Sequence, residues 1–305
     1  MSSERTVPTF RDLESWSFAG TALAVFGHPI GHSLSPPMHN AALAELAGSD
    51  SRFANWRYFR FEIHPDNLPR ALELAHARGF HGINLTVPHK VIAVAQVREI
   101  DPSARPVGAV NTLLRREGGW QGFNTDGYGL STAVHETLGR TLAGSHIVLL
   151  GAGGAARGAA VECLARRCAS LWIANRTRQN LDVLLDHLRP FASGISVQGF
   201  TPDAPPQSLP SGTLVINATS AGLRPDDPLP IDLGRLPAPA AVFDMIYNPA
   251  RTPLLQQAEA RGIPWANGRS MLVHQGAKSL EIWSGVSAAR TSPAMQVAAR
   301  QALGV

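Results

Sequence analysis

Short continuous apolar runs and longer segments with helical spacing alternate along the chain. Runs at Thr21–Phe26, Trp56–Ile63 and Gly82–Val87 predict three strands in the first third. The segment from Pro65 to Arg78, closed by Gly79, predicts a helix between the second and third of these strands. Strand, helix and strand at this spacing form a right-handed βαβ unit, which predicts a parallel sheet.

The pattern changes twice further along the chain. The Gly118-Gly119 pair predicts the turn of a β-hairpin, since extended segments flank it on both sides. From Thr141 onward, strands alternate with helices, as in a doubly wound sheet. Four strands are predicted there, near His146–Gly151, Leu171–Ala174, Thr213–Ala218 and Ala241–Met245. We therefore predict an α/β protein whose second part is a doubly wound Rossmann domain.

A glycine-rich turn follows the strand near His146 and opens into an alanine-rich helix. Gly151 can adopt the turn conformation, and Gly153 carries no Cβ that would block a pyrophosphate. The helix amino terminus offers free N–H groups and partial positive charge to phosphates. An ordinary βα turn has the same appearance, but the surrounding strands favour dinucleotide binding. The turn consists of Gly151-Ala152-Gly153-Gly154-Ala155.

The end of the next strand bears on which dinucleotide is bound. NAD-binding folds usually place Asp or Glu about 20 residues after the glycines to hold the ribose hydroxyls. Here the chain reads Asn175-Arg176-Thr177-Arg178. Arg176 can pair with a 2′-phosphate in a charge-assisted fork, whereas the alternative is a solvated arginine. NADP is therefore favoured over NAD.

Composition and charge narrow the class of protein. At 305 residues the chain is long enough for two domains, each with its own core. The content of 44% hydrophobic and 16% charged residues is typical of a globular protein. Basic residues are scattered, so the net charge of +4 does not predict nucleic-acid binding. The polar segment Met1–Arg11 and the absence of long apolar runs predict a cytoplasmic protein without a membrane span. Cys163 and Cys168 fall in one predicted helix and are expected to be buried thiols.

Two loops of the first part carry candidate chemistry. Ser33 and Ser35 lie in an ordered loop and could present two hydroxyls to a polar ligand, or one could cap the following helix. The three histidines near them are irregularly spaced and lack a companion carboxylate or thiol, so no metal site is predicted. Thr86 and Lys90 lie at the carboxyl end of the strand Gly82–Val87, where open α/β sheets bind ligands, although a surface lysine is the usual alternative.

Asp126 stands between the two predicted parts, among small polar residues. Helix capping accounts for Asp126, because the chain looks helical from Tyr128 onward. Asp126 would instead have a functional role if the fold places its carboxylate close to Lys90.

These segments together resemble the shikimate dehydrogenase family, over nearly the whole chain. The ordered series of motifs is far more specific than the glycine-rich turn by itself. The resemblance rests on Ser33-Leu34-Ser35, Asn84 to Lys90, Gly108 to Thr112, Asn124-Thr125-Asp126, the glycine-rich turn, Asn175-Arg176-Thr177, Asn217 to Gly222, Asp244 to Pro249 and Met271 to Gln275.

The resemblance implies a substrate-binding and catalytic domain of residues 1–126, completed by helices in 271–305, facing an NADP-binding Rossmann domain of residues 127–270 across a cleft. It implies reversible reduction of 3-dehydroshikimate to shikimate by NADPH in chorismate biosynthesis, with Lys90 and Asp126 as the catalytic pair. The substrate-binding residues that it implies are Ser33, Ser35, Asn84, Thr86, Asn111, Tyr247 and Gln275. The cofactor-binding residues are Gly151, Ala152, Gly153, Gly154, Ala155, Asn175, Arg176, Thr177, Arg178, Thr219, Ser220, Met245 and Gly268.

The residue types of Lys90 and Asp126 agree with the chemistry of carbonyl reduction. A hydride that reaches a carbonyl carbon leaves negative charge on the oxygen, and the ammonium of Lys90 can stabilise that charge and supply a proton. Asp126 would orient Lys90 and share the proton.

One departure from the family pattern concerns the cofactor. NADP-specific members often carry a second arginine three residues past the threonine, where this chain has Asn180, while Arg178 comes earlier. A looser phosphate clamp and secondary use of NAD are therefore open. Quinate and aminoshikimate dehydrogenases share the scaffold and remain alternatives, as does a non-catalytic dinucleotide-binding sensor. We expect a monomer or homodimer.

Overall fold

Helices and strands alternate through the protein, which we describe from a computed structural model covering residues 7–224 and 226–304. The chain forms two compact units. The first extends to Thr125 and resumes at Gln275, and the second comprises Asp126–His274.

The first unit is built on a mixed six-stranded sheet. Its elements up to Thr125 are α1 (Phe10–Glu14), β1 (Thr21–Gly27), α2 (Ser35–Ser49), β2 (Trp56–Glu62), α3 (Leu68–Ala77), β3 (Gly82–Leu85), α4 (His89–Ile92), β4 (Glu99–Ile100), β5 (Thr112–Arg116) and β6 (Gly119–Phe123). The strand order is β2-β1-β3-β5-β6-β4. Strands β2 and β3 both pair with β1 in parallel, as predicted, and β5 and β6 form the predicted antiparallel hairpin. Phe26, Phe61 and Phe80 are fully buried in the core beside the sheet.

The second unit is built on an all-parallel sheet. Its elements are α5 (Asp126–Leu138), β7 (His146–Leu150), α6 (Gly154–Ala165), β8 (Ser170–Ala174), α7 (Arg178–Leu188), β9 (Ser196–Phe200), β10 (Leu214–Asn217), β11 (Ala241–Asp244), α8 (Pro253–Ala260) and β12 (Trp265–Asn267). The strand order β12-β11-β10-β7-β8-β9 is doubly wound, with its switch point between β7 and β10. The central strands are continuous apolar runs because helices cover both faces of such a sheet. The predicted Rossmann arrangement is confirmed.

Two long helices end the chain. Helix α9 spans Arg269–Ser284 and α10 spans Ala288–Leu303. Within the first unit α10 packs along α2, where Arg290 pairs with Glu45. In the parts of the chain that the structure describes, no helix combines the length and apolar character needed to cross a membrane.

The cysteine-containing segment differs from the sequence prediction. Helix α6 ends at Ala165, so Cys163 lies in the helix but Cys168 lies beyond it. The helix stops because Arg167 adopts the left-handed conformation with φ of 61°, a role that glycine usually fills at a helix end. Both thiols are buried as predicted. Burial raises the pKa of Cys163 well above its ordinary value and that of Cys168 to about 11.

Three strands were not predicted from the sequence. Strand β4 has two residues, and β12 has three, which is too short for a periodicity to be visible. Strand β9 is an edge strand whose first four residues are exposed or partly exposed, so it lacks a continuous apolar run.

A buried histidine lies beneath the sheet residue Tyr58. His39 on α2 is completely buried, and its ring stacks on Tyr58 with centroids 4.1 Å apart and an interplanar angle of 1°. Neither ring nitrogen has a hydrogen-bond partner among the described residues. Burial without a partner disfavours the imidazolium and lowers the pKa of His39 to about 3.

We expect His39→Phe to reduce the acid sensitivity of the protein. Between pH 6.5 and 3 the unfolded chain binds a proton at His39 that the folded chain does not, so stability falls as the pH falls. The free energy of unfolding of the wild type should therefore drop between pH 6.5 and 4.5 by about 2–3 kcal/mol more than that of His39→Phe. Urea unfolding at the two pH values measures the difference. The exposed His135, replaced in the same way, is the control and should leave the wild-type pH dependence intact. An equal pH dependence in His39→Phe and wild type would contradict the assignment.

Candidate active site

The serine loop leads into α2 in the first unit. Helix α2 begins at Ser35, and the Ser33 hydroxyl accepts a hydrogen bond from the Ser35 N–H at 3.3 Å. Ser33 therefore satisfies one backbone donor, but it does not cap the helix, because the residue at the N-cap is Leu34, which provides no side-chain cap. Ser35 is buried, whereas Ser33 is only partly buried. The two hydroxyls thus have different surroundings.

Asn84 on β3 is hydrogen-bonded at both ends of its amide. The Tyr58 hydroxyl on β2 donates to Asn84 Oδ1 at 2.7 Å, and burial raises the pKa of Tyr58 well above its ordinary value. Asn84 Nδ2 donates to the Asn111 carbonyl at 3.0 Å and contacts Thr112 Oγ1 at 3.1 Å. The amide of Asn84 is therefore held between β2 and the start of β5.

Asn111, Thr125 and Gln275 form the next part of the same network. Asn111 Nδ2 donates to Thr125 Oγ1 at 3.0 Å and to Gln275 Oε1 at 3.3 Å. The Thr125 N–H donates back to Asn111 Oδ1 at 2.9 Å. The fold thereby brings Asn84, Asn111 and Gln275 together, although they are far apart in the sequence.

Thr86 and Lys90 follow β3 at its carboxyl end. The Thr86 N–H donates to the Phe26 carbonyl at 3.1 Å, and the Thr86 carbonyl accepts from the His89 N–H at 2.8 Å where α4 begins. The Lys90 carbonyl accepts from the Val110 N–H at 2.9 Å, which ties α4 to the chain segment preceding Asn111. Lys90 therefore stands on a backbone that is fixed to its neighbours.

Asp126 is the first residue of α5 and of the second unit. Its predecessor Thr125 is anchored to Asn111 in the first unit. Asp126 lies in the first turn of the helix rather than before it, where a carboxylate interacts favourably with the helix dipole. Its pairing with Lys90 stays a prediction.

The glycine-rich turn in the second unit joins β7 to α6. Gly151 has φ of 109°, and a Cβ there would lie 3.0 Å from Thr219 Cγ2 and 3.2 Å from the Ala218 carbonyl oxygen. Gly153 is the N-cap of α6, and a Cβ on Gly153 or Gly154 would meet nothing within 4 Å. The amino terminus of α6 therefore has open space next to its free N–H groups, which fits a pyrophosphate.

The arginine segment after β8 contains one engaged and one available guanidinium. Arg178 begins α7, and its Nε lies 2.9 Å from Asp182 Oδ1. Arg176 is exposed and makes no hydrogen bond or ion pair with the described residues. Asn175 Nδ2 donates to the Thr177 carbonyl at 2.8 Å and shapes the turn between them. Arg176 is thus the guanidinium best able to meet a phosphate.

A fully buried carboxylate organises the ends of β10 and β11. Asp244 accepts hydrogen bonds from Asn217 Nδ2 at 3.0 Å, from the Ile246 N–H at 3.0 Å and from Thr252 Oγ1 at 2.6 Å. Burial raises the pKa of Asp244, although the three hydrogen bonds act in the opposite direction. Tyr247 lies in the segment between these contacts, and its own partial burial raises its pKa.

Asn217 extends the same network to the predicted cofactor residues. Its Oδ1 accepts from the Thr219 N–H at 3.0 Å and the Thr219 hydroxyl at 2.7 Å, and its carbonyl accepts from the Met245 N–H at 3.0 Å. A Cβ on Gly268 would lie 2.0 Å from the Met245 carbonyl oxygen, so only glycine fits there. Thr219 and Met245 are therefore joined through Asn217, and Gly268 lies against Met245. Ser220, which follows Thr219, is exposed.

Several side chains in these networks were not singled out from the sequence. Tyr58, Thr112 and Thr252 lie in ordinary strand or helix-start positions, and nothing in their local pattern distinguishes them. An acid directly after the buried run Ala241–Phe243 was a usable signal for Asp244, because an acid at the end of a buried strand requires partners.

Comparisons with known proteins give the family. A model described as the shikimate dehydrogenase substrate binding domain matches residues 25–113, and one described as the shikimate 5′-dehydrogenase C-terminal domain matches residues 268–296. The chain is 39% identical over 270 residues to a shikimate dehydrogenase (NADP(+)) of Symbiobacterium thermophilum, covering 87% of this chain and 90% of that protein. The chain belongs to the shikimate dehydrogenase family.

Solved structures show how far the family resemblance extends. Shikimate 5-dehydrogenase from Thermus thermophilus, in complex with NADP(H) and shikimate, matches with a TM-score of 0.78 and 35% identity over 92% of this chain and 99% of that chain. The ligand-free 5-ketofructose reductase of a Gluconobacter species matches with a TM-score of 0.79 and 31% identity over the same shares. The shikimate dehydrogenase family fold therefore also occurs in a protein named for another substrate.

We expect Thr252→Val to destabilise the protein through Asp244. Valine keeps the shape of threonine but removes the donor to Asp244 at 2.6 Å, which leaves a buried carboxylate short of one partner. It also removes the acceptor at 3.4 Å that caps α8 at the Leu255 N–H, which adds to the loss. The free energy of unfolding should fall by about 1–3 kcal/mol, measured by urea unfolding followed by circular dichroism.

The matched control is Thr137→Val on α5. Thr137 is exposed and donates only to the Ala133 carbonyl of its own helix, so this change should cost less than about 0.5 kcal/mol. Equal losses in the two variants would contradict a role of Thr252 in satisfying Asp244.

Proposed function

We propose that the protein is an NADP-dependent shikimate dehydrogenase that reversibly reduces 3-dehydroshikimate to shikimate in the biosynthesis of chorismate and the aromatic amino acids. The observation that carries the proposal is the buried network that joins Asn84, Asn111 and Gln275 in the first unit. Amides and hydroxyls arranged in this way suit a small polyhydroxylated ligand, because each can exchange hydrogen bonds with a substrate hydroxyl. The named relatives and the Thermus complex support the same substrate and cofactor.

The first unit would bind the substrate and the second the cofactor. Ser33, Ser35, Asn84, Thr86, Asn111 and Gln275 would hold the hydroxyls and the carboxylate, and Tyr247 would close the site. The residues of the second unit fit NADP, because the open amino terminus of α6 can accept the pyrophosphate and Arg176 can pair with the 2′-phosphate. When bound, the reduced nicotinamide supplies the hydride.

The proton transfer falls to residues of this chain. As a C–H bond forms at the carbonyl carbon, negative charge develops on the oxygen, and the Lys90 ammonium stabilises it. Lys90 Nζ then gives its proton to the oxygen, so that an O–H bond forms and a neutral amine remains. The Asp126 carboxylate orients the ammonium toward that oxygen. In the oxidation direction Lys90 accepts the hydroxyl proton.

We also propose that the protein acts in the cytoplasm as a monomer or homodimer. Both cysteines are buried free thiols, as is usual for a protein of a reducing compartment.

Purified protein should reduce NADP when mixed with shikimate, and Lys90→Ala should remove most of that activity. We expect kcat to fall about 10²–10⁴-fold while KM for shikimate changes little, because the ammonium acts mainly on charge that develops in the transition state. Absorbance of the reduced nicotinamide measures both parameters.

The other lysine supplies the control. Lys278 pairs with Glu281 along α9, and Lys278→Ala should retain the wild-type kcat. Absence of turnover with shikimate or quinate, each with NADP and NAD, would overturn the proposed function. An unchanged kcat in Lys90→Ala would remove Lys90 from the proton transfer.

Arg176→Ala should weaken the use of NADP without changing the use of NAD. A charge-assisted bond to the 2′-phosphate is worth about 1.5–3 kcal/mol, so KM for NADP should rise about 10- to 100-fold. Arg178→Ala is the matched comparison and should have a smaller effect, since Asp182 already holds that guanidinium. Steady-state kinetics with each cofactor measures the effect. An equal rise in KM for NADP and for NAD would refute the pairing of Arg176 with the 2′-phosphate.

A further inference from the structure

Ser279 is a buried hydroxyl on α9 that lies at the centre of the first-unit network. Its side chain is completely buried. Ser279 Oγ lies 3.0 Å from Asn84 Nδ2, 2.7 Å from Thr112 Oγ1 and 3.3 Å from Thr125 Oγ1. It also donates to the Gln275 carbonyl one helical turn earlier, at 3.0 Å. One hydroxyl therefore contacts the side chains on three separate chain segments that surround the predicted substrate residues.

The donors and acceptors around Asn84 fix the orientation of its amide. The Asn111 carbonyl can only accept, so the amide nitrogen of Asn84 must face it rather than the amide oxygen. Ser279 Oγ and Thr112 Oγ1 lie within reach of the second N–H. Both hydrogens of the Asn84 amide are thus directed at the protein. Its oxygen accepts from Tyr58 and retains a second lone pair.

The single hydrogen of Ser279 completes a consistent assignment. If it goes to the Gln275 carbonyl, Ser279 Oγ is left to accept from Asn84 Nδ2. The Thr112 hydroxyl has one hydrogen and two acceptors within reach, Ser279 Oγ at 2.7 Å and Asn111 Oδ1 at 2.9 Å. In either arrangement the Asn84 amide nitrogen faces Ser279 Oγ, so the orientation of Asn84 is the same. Gln275 is oriented with its Oε1 toward Asn111 Nδ2 and the Thr125 hydroxyl.

We propose that Ser279 is a positioning residue for substrate binding, which holds Asn84 so that its carbonyl oxygen faces a hydroxyl of the substrate. The inference rests on the proposed function and extends it by stating which end of the Asn84 amide faces the substrate. Asn84 would thus accept a hydrogen bond from the substrate. Without the Ser279 hydroxyl, the Asn84 amide loses an acceptor and its orientation is less strongly fixed.

The isosteric pair Ser279→Thr and Ser279→Val tests the role of the hydroxyl. The two variants have the same shape, so any cost of the added methyl groups at this buried position is shared. We expect Ser279→Val to lose about 10- to 100-fold in kcat/KM for shikimate, as a buried donor left without its partner would. Ser279→Thr keeps the hydroxyl, so its kcat/KM should stay within about threefold of wild type. KM for NADP should be unchanged in both.

Ser284→Ala on the same helix is the matched control. Like Ser279, Ser284 donates to the carbonyl four residues earlier, at 2.6 Å, but it contacts none of the predicted substrate residues. If a serine has only a structural role, replacing it should lower the melting temperature and leave kcat/KM for shikimate unchanged. We expect that result for Ser284→Ala and not for Ser279→Val. If Ser279→Val fails to fold, Ser279→Ala, which adds no atoms, carries the comparison with Ser284→Ala.

Equal losses in Ser279→Thr and Ser279→Val, or wild-type kcat/KM in folded Ser279→Ala, would overturn the role of Ser279. Shikimate analogues in which a non-reacting hydroxyl is replaced by fluorine test the polarity, since fluorine cannot donate a hydrogen bond. One such analogue should bind wild type at least about 10-fold more weakly than shikimate, and undiminished binding of all of them would overturn the acceptor role of Asn84. Failure of the proposed function has a different result: the wild-type protein itself would then not turn over shikimate.

Discussion

A polar side chain can remain buried only if its donors and acceptors are paired, and both units of this protein are organised by that requirement. In the first unit the amide of Asn84 is paired with Tyr58, Thr112 and Ser279. In the second unit the carboxylate of Asp244 is paired with Asn217 and Thr252. Each group lies where strands end, so pairing it also fixes the loops that carry the predicted ligand-binding residues.

The two networks differ in chemical character. The first consists of neutral amides and hydroxyls, which can exchange hydrogen bonds with a neutral hydroxyl in either sense. The second is centred on a carboxylate that faces inward and receives hydrogen bonds, while the open amino terminus of α6 and the guanidinium of Arg176 offer positive charge outward. This division agrees with a polyhydroxylated substrate in one unit and a phosphorylated cofactor in the other.

The sequence allowed the fold to be predicted where a pattern is local. The glycine-rich turn, the hairpin at Gly118-Gly119 and the central parallel strands all have short-range signals, and each appears in the structure. The end of α6 was predicted wrongly because Arg167 takes a left-handed conformation that its residue type does not indicate. Edge strand β9 was not predicted because its alternate residues face solvent.

The candidate site was only partly predictable for a related reason. Asn84, Asn111 and Gln275 were assigned from their motifs, but the contacts among them depend on residues more than a hundred positions apart, such as Ser279 and Thr112. No local sequence pattern indicates that a serine will be buried at the centre of a hydrogen-bond network. Such residues become visible only when the hydrogen bonds of the folded chain are counted.

The ion pair between Arg178 and Asp182 has a consequence for how cofactor preference could evolve. It lies on the surface of α7, where a substitution disturbs no core packing and no buried polar network. A change at Asp182 would free a second guanidinium close in sequence to Arg176, whereas the amides proposed to bind the substrate lie in the first unit. Preference between the two nicotinamide cofactors could thus change through single surface substitutions that leave the fold and those amides intact.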